Sequence, residues 1–293
     1  LQGFGLGPAL DAVVAQPARL CVRNAVSGRE LAALALNPDM AQRYGAPYFT
    51  IHRADLHGVL LGALAQDDRV SLKTACPVRA VRQDGGCVTL SLAADLEVQG
   101  DLLVGADGLW STVRQQVLGD GMAMPSGHVA YRALVAQQAL PAALRSQQVT
   151  AWLGPRLHVV TYPVRRGELL NVVAIVQGQP RGEPQDWDHA AVAAELQAAM
   201  GPTCTALRDL VKAMPSWRLW VLNGREPVSS PDVMAQGRVA LLGDAAHPML
   251  PYLAQGAGMA IEDAAELGSL LAMASAAALD VPLALSRYAL NRW

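Results

Sequence analysis

The sequence predicts an α/β protein in which a sheet-rich insert interrupts one α/β domain. Two segments follow the order of buried strand, sharp turn and helix: DLLVGADGLWSTVR at 101–114 and VALLGDAAHPMLPYLAQGAGMAIEDAAEL at 239–267. Between them lie four segments typical of strands, HVAYRALVAQ, VTAWLG, RLHVVTYPV and ELLNVVAIV. Strand–turn–helix units on either side of consecutive strands favour this interrupted architecture.

Composition places the chain among well-packed globular proteins. It has 293 residues, of which 52% are hydrophobic and 16% are charged, enough for about two domains with buried cores. The net charge is −2 and the sequence has no run of Lys or Arg, so it lacks the basic segment typical of nucleic-acid-binding proteins. The most apolar stretch, 264–285, contains Glu266, Asp280 and Pro282, so we expect a core helix and no integral membrane segment.

Four cysteines are widely spaced, at Cys21, Cys76, Cys87 and Cys204. They form no C-x-x-C pair and have no histidine at metal-ligand spacing. This pattern favours reduced, mostly buried thiols in a cytoplasmic protein over a zinc or disulfide framework. We therefore predict no metal site.

The remaining segments predict helices and one small meander. Apolar spacing predicts a helix at 52–66, with Asp55 in a first turn where the helix dipole favours a carboxylate. The sequence Asp84-Gly85-Gly86 predicts a hairpin turn. Further helices are expected at 9–20, broken near Pro17, and at 187–200 and 207–214, and further strands at 70–74, 77–83, 87–92 and 96–99.

The turn after 239–242 has the features of a ligand site. Asp244 stands where a strand ends, the edge at which open α/β sheets bind ligands. Gly256 then opens a helix whose free backbone amides favour an anion or negative charge on a cofactor ring. An ordinary tight turn before a capped helix explains Asp244 alone, but the combination of G-D, H-P and Q-G-A-G favours a ligand.

The turn at 105–108 also lies between an apolar strand and a helix. It follows the apolar residues 102–104 and precedes a helix on which Ser111 and Arg114 lie three residues apart. That spacing puts both side chains on one helical face. The face could anchor either an aspartate carboxylate or a phosphate.

Both long segments resemble fingerprints of the FAD-dependent aromatic hydroxylases, the single-component flavoprotein monooxygenases typified by para-hydroxybenzoate hydroxylase. DLLVGADGLWSTVR is similar to the "DG" motif, and GRVALLGDAAHPMLPYLAQGAGMAIEDA to the "GD" motif. YGAPYFTIHRADLHGVL and LHVVTYPVRRGELLNVVAIV resemble the salicylate, 3-hydroxybenzoate and 6-hydroxynicotinate hydroxylase group. The resemblance implies a Rossmann-like, glutathione reductase-type FAD-binding domain at 1–125 and 229–293, with a sheet-rich substrate-binding domain at 126–228.

The resemblance also implies the chemistry. The family reduces FAD with NADH or NADPH and reacts it with O₂ to give a flavin C4a-hydroperoxide, which hydroxylates a small aromatic acid or phenol. The implied partners are therefore an aromatic substrate, O₂ and NAD(P)H, and a homodimer is a further expectation. Alternatives are a halogenase-like or reductase-like flavoprotein, although the halogenase W-x-W-x-x-P signature is absent, or a non-catalytic protein that binds an aromatic ligand.

Cofactor-binding roles are implied at positions that match the motifs. Asp244 would bind the ribitol of FAD, and Arg53, in HRADL, would contact its ribitol–phosphate side. Asp107 would orient the pyrophosphate region, with Gly108 in the same turn. Arg114 would support that contact and the encounter with the pyridine nucleotide.

The family also implies contacts around the flavin ring. Gly256 and Ala257 would offer backbone amides to the flavin pyrimidine edge, and Gly258 completes that helix start. Pro251 matches a proline whose carbonyl lies beside the reactive flavin carbon. Gln255 matches a position that contacts substrate or flavin.

Substrate-side residues are expected on the strand RLHVVTYPV. His158 and Tyr162 lie four residues apart, so a strand puts both on one face. In hydroxynicotinate hydroxylases a His and a Tyr at this spacing bind and deprotonate substrate, but some relatives place a His where this chain has Thr161. A hydrogen-bonded sheet histidine remains the alternative for His158. For Arg132, beside Tyr131, a strand-edge salt bridge is favoured over a place in the pocket.

The opening LQGFGLG is not a nucleotide-binding turn. Its spacing is G-x-G-x-G and not G-x-G-x-x-G, and two residues precede Gly3, too few for the required strand. In the family a similar segment follows the true turn by about 30 to 45 residues. We therefore expect the first strand, the nucleotide turn and its acidic partner to be missing from this chain.

Overall fold

A computed structural model describes residues 1–93, 96–178, 188–277 and 280–293. The chain forms two units. One unit consists of residues 1–71 and 127–222, and the other of residues 72–126 and 223–293. The predicted α/β class is confirmed, while the predicted division at 125/126 and 228/229 into cofactor and substrate domains stays a prediction.

The elements follow one another in this order. The strands are β1 (Arg19–Asn24), β2 (Glu30–Ala35), β3 (Ala80–Asp84), β4 (Cys87–Ser91), β5 (Glu97–Gly100), β6 (Leu103–Gly105), β7 (Met124–Ala136), β8 (Val149–Gly154), β9 (Leu157–Val164), β10 (Leu169–Gln177), β11 (His189–Ala191), β12 (Trp217–Gly224), β13 (Ala235–Gln236) and β14 (Val239–Leu241). The helices are α1 (Gly7–Asp11), α2 (Asp39–Tyr44), α3 (Arg53–Leu64), α4 (Thr112–Leu118), α5 (Ala193–Met200), α6 (Thr205–Ala213), α7 (Pro231–Met234), α8 (Gly256–Ala277) and α9 (Val281–Arg292).

The first unit is built on an eight-stranded sheet in the order β11-β12-β7-β10-β9-β8-β1-β2. Its four central strands, β7 to β10, match the four segments predicted as strands. Strands β1 and β2 were not predicted. The β2 sequence ELAALA is rich in strong helix formers, and it becomes a strand because it pairs antiparallel with β1 from Arg19↔Ala35 onward.

One face of this sheet carries the core of the first unit. Val159, Val172 and Ala174 are fully buried there, packed with helix residues such as Leu196 and Leu207. The helix predicted at 207–214 is confirmed as α6. The helix predicted at 187–200 begins only at Ala193, because residues 189–191 pair with β12 instead; residue 187 lies outside the described residues.

The helix predicted at 52–66 is confirmed as α3. Asp55 lies in its first turn and accepts two hydrogen bonds from Arg165, from Nε at 2.8 Å and from Nη2 at 2.9 Å. Despite the apolar spacing, no residue of α3 is buried. The helix predicted at 9–20 is shorter than expected, since α1 ends at Asp11 and Arg19 already begins β1.

The second unit contains two three-stranded sheets. The antiparallel order β3-β4-β5 confirms the meander, and the hairpin turns after Asp84, which pairs with Cys87. The predicted strand at 70–74 does not form. The order β13-β14-β6 contains the parallel pair β14–β6, which brings together the strands of the two long motifs.

Close packing in the second unit depends on one glycine. A Cβ added to Gly105, the last residue of β6, would lie 2.7 Å from Val113 Cγ1 and 3.0 Å from Leu241 Cδ2. Any larger residue would therefore push α4 away from the sheet. Buried Leu285 and Tyr288 of α9 belong to the same core, and the Tyr288 hydroxyl donates to the carbonyl of Leu241 at 2.9 Å.

Two further expectations concern the burial of the cysteine thiols and a membrane-spanning helix. All four thiols are free, but only Cys21 is buried, whereas Cys87 and Cys204 are half-buried and Cys76 is exposed. The expectation of mostly buried thiols is therefore wrong. Across the described residues, no helix combines the length and apolar character needed to cross a membrane.

Candidate active site

In the second unit, the two predicted turns lie side by side. Strand β14 runs parallel to β6 with Leu241 opposite Gly105, so both chains turn at the same edge of the sheet. Asp107 follows one strand by two residues, and Asp244 follows the other by three. This carboxyl edge is where parallel sheets bind ligands.

Asp107 uses its carboxylate to begin helix α4. Its Oδ1 accepts a hydrogen bond from Ser111 Oγ at 2.5 Å, and its Oδ2 accepts one from the Val113 amide at 3.1 Å. Ser111 in turn caps the helix by accepting from the Arg114 amide at 2.9 Å. Gly108 supplies the left-handed backbone of the turn, with φ of 75°. Of the two anchoring options open from sequence, Ser111 holds the aspartate carboxylate.

Arg114 is buried, with 1% of its surface exposed. Its Nε donates to Asp120 Oδ2 at 2.6 Å and its Nη2 to the Glu226 carbonyl at 2.5 Å. Its Nη1 donates to the carbonyls of Ala245 and Ala246 at 3.3 and 3.2 Å. Every nitrogen of the guanidinium therefore faces protein acceptors, and this geometry favours a positioning role for the turn at 243–246 over direct contact with the cofactor.

A buried carboxylate on α8 holds the same turn from the other side. Asp263 Oδ2 accepts hydrogen bonds from the Gly243 amide at 2.8 Å and from His247 Nε2 at 2.7 Å, while Oδ1 accepts from Arg292 Nε at 2.7 Å. Burial by itself would raise the pKa of Asp263, but these three hydrogen bonds outweigh it and hold the pKa below its ordinary value. A Cβ on Gly243, where φ is 60°, would lie 3.0 Å from Ala260 Cβ.

Asp244 itself is exposed, and its side chain forms no hydrogen bond with any described residue. It lies close to the start of α8, since a Cβ on Gly256 would be 3.6 Å from Asp244 Oδ1. The first amides of a helix have no intrahelical acceptor, and no acidic residue occupies the first turn of α8. The free carboxylate can accept hydrogen bonds from hydroxyl groups, and the free amides beside it can donate hydrogen bonds to an electron-rich group. Together these groups fit the sugar and the ring of FAD.

The other residues predicted at the flavin ring surround this helix start. Pro251 begins a short 3₁₀ turn, Pro251–Leu253, and Gln255 immediately precedes α8, both with exposed side chains. Ala257 and Gly258 lie in the first turn of the helix. Their assigned contacts with FAD and substrate stay predictions.

In the first unit, the predicted substrate residues share a sheet face. Tyr162 lies opposite Asn171 of β10, and His158 lies opposite Ile175, so residues 158 and 162 point to the same side. Across β10, Asn171 lies opposite Leu134 of β7, and Arg132 is two residues away on the same face. The core of the unit occupies the other face.

The environment of these side chains sets their protonation. Burial lowers the pKa of His158, so its imidazole is neutral near pH 7. Burial raises the pKa of Tyr162, which outweighs the opposing effects of the Arg132 charge and of a hydrogen bond with Asn171. The phenol therefore keeps its proton at neutral pH.

A cavity of about 510 Å³ lies in the first unit beside this face. The described residues that line it include three arginines and two histidines but no carboxylate: His52, Arg53, Ala54, His57, Arg132, Ala133, Leu134, Asn171, Arg218 and Trp220. The predicted cofactor residue Arg53 is among them. His158 and Tyr162 are not, although Tyr162 lies directly opposite the lining residue Asn171 on the neighbouring strand.

Arg132 does not form the expected strand-edge salt bridge with any described residue. Its guanidinium carbon lies 3.7 Å from the centre of the Trp220 ring, and its Nε is buried without a hydrogen-bond partner. Neighbouring Tyr131 is buried on the opposite, core face of the strand. The expectation was wrong because cross-strand stacking with β12 could not be read from AYRA alone.

Several structural residues of the site were not found from sequence. Asp263 could have been noticed as an acidic residue within the apolar run GMAIEDAAELGSLL. Nothing in the sequence indicates which residues would become its partners. Asp120 bridges buried Arg114 and Arg225, which are 111 positions apart along the chain and are joined only in the folded unit. His247 packs against the turn through its hydrogen bond with Asp263.

Comparison with known proteins decides the family. The family described as "FAD binding domain" matches residues 21–281. The chain belongs to the FAD-dependent aromatic hydroxylases. Its membership confirms the family predicted from the two motifs, and with it FAD as the cofactor, NAD(P)H as the usual co-substrate and the monooxygenase class.

Individual relatives of this hydroxylase family support the assignment. The chain is 35% identical over 277 residues to "3-hydroxybenzoate 6-hydroxylase 1" from Aquipseudomonas alcaligenes, covering 90% of this chain and 66% of the relative. It is 38% identical over 288 residues to "3-amino-4-hydroxybenzoate 2-monooxygenase PtnB3" from Streptomyces platensis, covering 98% and 70%. The chain thus spans about two thirds of the length of these hydroxylases.

A solved structure agrees with the fold. The structure of Klebsiella pneumoniae HpxO in complex with FAD and uric acid superposes with a TM-score of 0.81 and 26% identity, covering 98% of this chain and 70% of that one. That protein binds FAD. The free carboxylate of Asp244 and the start of α8 in this chain fit the same cofactor.

Proposed function

We propose that the protein hydroxylates a small aromatic carboxylate that bears a ring hydroxyl, using FAD, NADH or NADPH, and O₂. The observation that carries the proposal is the cavity on the sheet of the first unit. Its described lining is basic and contains an aromatic ring, Trp220, which suits a flat anion. The relatives that carry hydroxybenzoate or aminohydroxybenzoate in their names support this substrate class.

Residues of the second unit would hold the cofactor. Asp244 would accept hydrogen bonds from the ribitol hydroxyls, and the amides of Gly256 and Ala257 would donate to the pyrimidine edge of the ring. Arg114 and Asp263 would act indirectly, by fixing the turn that carries Asp244. When bound, FAD supplies the hydride acceptance and oxygen activation that no side chain can provide.

Residues of the first unit would prepare the substrate. Neutral His158 would accept the proton of the substrate hydroxyl at an imidazole nitrogen, which makes the ring more electron-rich. Tyr162, which keeps its proton because burial raises its pKa, would donate a hydrogen bond to the resulting oxyanion. Gln255 and Pro251 are further proposed contacts with the reacting groups.

The experiment is a coupled measurement on the purified protein loaded with FAD. NADH and NADPH consumption is followed with 3-hydroxybenzoate, 3-amino-4-hydroxybenzoate and phenol, and the products are analysed by mass spectrometry with isotopically labelled O₂. We expect stimulated NAD(P)H consumption and one labelled oxygen atom in the product of at least one carboxylate. His158→Ala is expected to slow hydroxylation strongly while FAD stays bound.

Other outcomes would point to another member of the fold. Stimulated NAD(P)H consumption without an oxygenated product would indicate a reductase. A protein that binds the aromatic acid but consumes no NAD(P)H would indicate a ligand-binding role, and a colourless protein that takes up no FAD would contradict the proposal altogether.

A cytoplasmic location and a homodimer are part of the proposal. Four unpaired cysteines support a reducing compartment. Sedimentation of the purified protein at several concentrations tests the dimer, and localisation of a tagged chain tests the compartment.

A further inference from the structure

We propose that Arg132, stacked on Trp220, binds the carboxylate of the aromatic substrate and thereby makes the hydroxylase selective for acids over neutral phenols. This inference rests on the proposed function, because it assigns a specificity residue to the same cavity. It concerns a residue that neither motif of the family includes.

Arg132 is half-buried, and its Nε has no hydrogen-bond acceptor among the described residues. No described carboxylate pairs with the guanidinium. A charge that is partly removed from water and has no counter-ion loses hydration without compensation. Burial accordingly lowers the pKa of Arg132, although the group remains protonated. A bound carboxylate would supply both the missing acceptor and the missing charge.

The charges of the other two arginines that line the cavity leave Arg132 as the preferred anchor. Arg218 also lines the cavity, but Asp188 already neutralises it, with Nη2 to Oδ2 at 2.6 Å. Arg53 lies near enough to lower the pKa of Arg132 by repulsion. An anion bound at Arg132 would relieve that repulsion, whereas a neutral ligand would not.

Stacking on Trp220 also orients the guanidinium of Arg132. The guanidinium lies 3.7 Å above the Trp220 ring, which fixes the plane of its donors and lowers the entropy lost when it forms a two-pronged contact with a carboxylate. A lysine in the same place would offer a point charge without this preorganisation.

The position of Arg132 relative to Tyr162 suits the same role. They lie on strands β7 and β9, with β10 between them, on the same face of the sheet. Two strand spacings and an offset of two residues along the strand separate their backbones by about 12 Å. An aromatic ring with a carboxylate at one end and a hydroxyl at the other can bridge such a span, with Arg132 at the acid end.

The test compares binding of 3-hydroxybenzoate with binding of 3-hydroxybenzamide, a neutral analogue of nearly the same shape. Calorimetry is performed on the FAD-loaded protein and on Arg132→Gln and Arg132→Lys. Hydrogen bonds that involve a charged group predict that the wild-type protein prefers the acid by about 10- to 100-fold. We expect Arg132→Gln to lose most of that preference by weakening acid binding, and Arg132→Lys to restore part of it.

Arg43→Gln is the matched control. Arg43 is also an arginine near an aromatic ring, 5.4 Å from the centre of Tyr44, but it is exposed and lies outside the cavity lining. This variant should keep the wild-type preference. FAD content and circular dichroism establish that each variant is folded, and Arg132→Lys, which keeps the charge, carries the test if Arg132→Gln does not fold.

The outcomes separate this inference from the proposed function. An acid preference that Arg132→Gln leaves unchanged, or a wild-type protein that binds the amide as well as the acid or binds neither, overturns the assignment of Arg132. An Arg132-dependent acid preference in a protein that never inserts oxygen into the ring supports the anchor and contradicts the hydroxylase. Under turnover, loss of the anchor should raise KM for the acid more than it lowers kcat.

Discussion

The buried carboxylate of Asp263 accepts a 2.8 Å hydrogen bond from the backbone amide of Gly243, twenty positions earlier in the chain. Through this bond, helix α8 holds the turn that presents Asp244 at the end of β14. The turn is therefore fixed before any cofactor arrives, which reduces the ordering cost of binding. Five predictions follow from this arrangement and from the substrate side.

Asp263→Asn should destabilise the second unit. The substitution removes a buried charge that His247 and Arg292 both contact, and breaking such a buried pair costs about 3 kcal/mol of unfolding free energy. Urea unfolding of the FAD-free protein measures this loss of unfolding free energy. Glu262→Gln is the control, since exposed Glu262 pairs with the same Arg292 at 3.0 Å; its effect should stay within about 0.5 kcal/mol. Equal effects would contradict the role of Asp263.

The stability from Asp263 should also depend on pH. Because the pKa of Asp263 is lower in the folded than in the unfolded protein, the carboxylate stabilises the fold fully above its unfolded value near 3.8. That contribution is lost as pH falls from there through the folded pKa. The stability difference between the wild-type protein and Asp263→Asn, measured by unfolding at several pH values, should therefore shrink at strongly acidic pH. A difference that stays constant down to that range would show that the charge contributes nothing.

Gly243→Ala should disturb the turn through both strain and contact. Its φ of 60° is unfavourable for alanine, and the added Cβ would lie 3.0 Å from Ala260 Cβ. We expect a loss of about 2 to 3 kcal/mol and weaker FAD binding. Gly85→Ala provides the comparison, because Gly85 has nearly the same φ of 59° with no atom within 4 Å of an added Cβ. It should lose about 1 kcal/mol and leave FAD affinity unchanged, and equal losses would exclude the contact with Ala260.

Asp244→Asn should weaken FAD binding without affecting the fold. The side chain is exposed and has no hydrogen bond to any described residue, so its removal costs the protein little. The loss of charge-assisted hydrogen bonds to ribitol predicts about 10- to 100-fold weaker binding, measured by quenching of FAD fluorescence. Asp101→Asn, an exposed carboxylate at the opposite end of β6, should bind FAD normally. Normal affinity in Asp244→Asn would remove this residue from the cofactor site.

His158 should set the acid limit of hydroxylation. Because burial lowers its pKa below the ordinary 6.5, the imidazole stays neutral until the pH falls below that value, and kcat/KM should decline only there. In His158→Gln the rate should be low throughout and this acid limb should disappear. His189→Gln, on strand β11 outside the cavity, should keep the wild-type profile. An unchanged acid limb in His158→Gln would show that another group takes the proton.

Local sequence was sufficient where one segment carries the whole signal. The strand, turn and helix of each motif formed as predicted because apolar runs, turn glycines and the capping serine at 111 act within a few residues of one another. The even spacing of His158 and Tyr162 fixed their shared face for the same reason, since side chains alternate along a strand.

Tertiary structure decided what depends on distant partners. The strand β2 formed against its helical propensity because β1 offers an edge. Arg114 became a buried structural cation because acceptors from residues 226, 245 and 246 surround it, and Arg132 became a candidate anion site because β12 brings Trp220 beneath it. Sequence determined the family and the positions of its motifs. Which charges are neutralised inside the protein, and which remain for a ligand, depended on residues that meet only after folding.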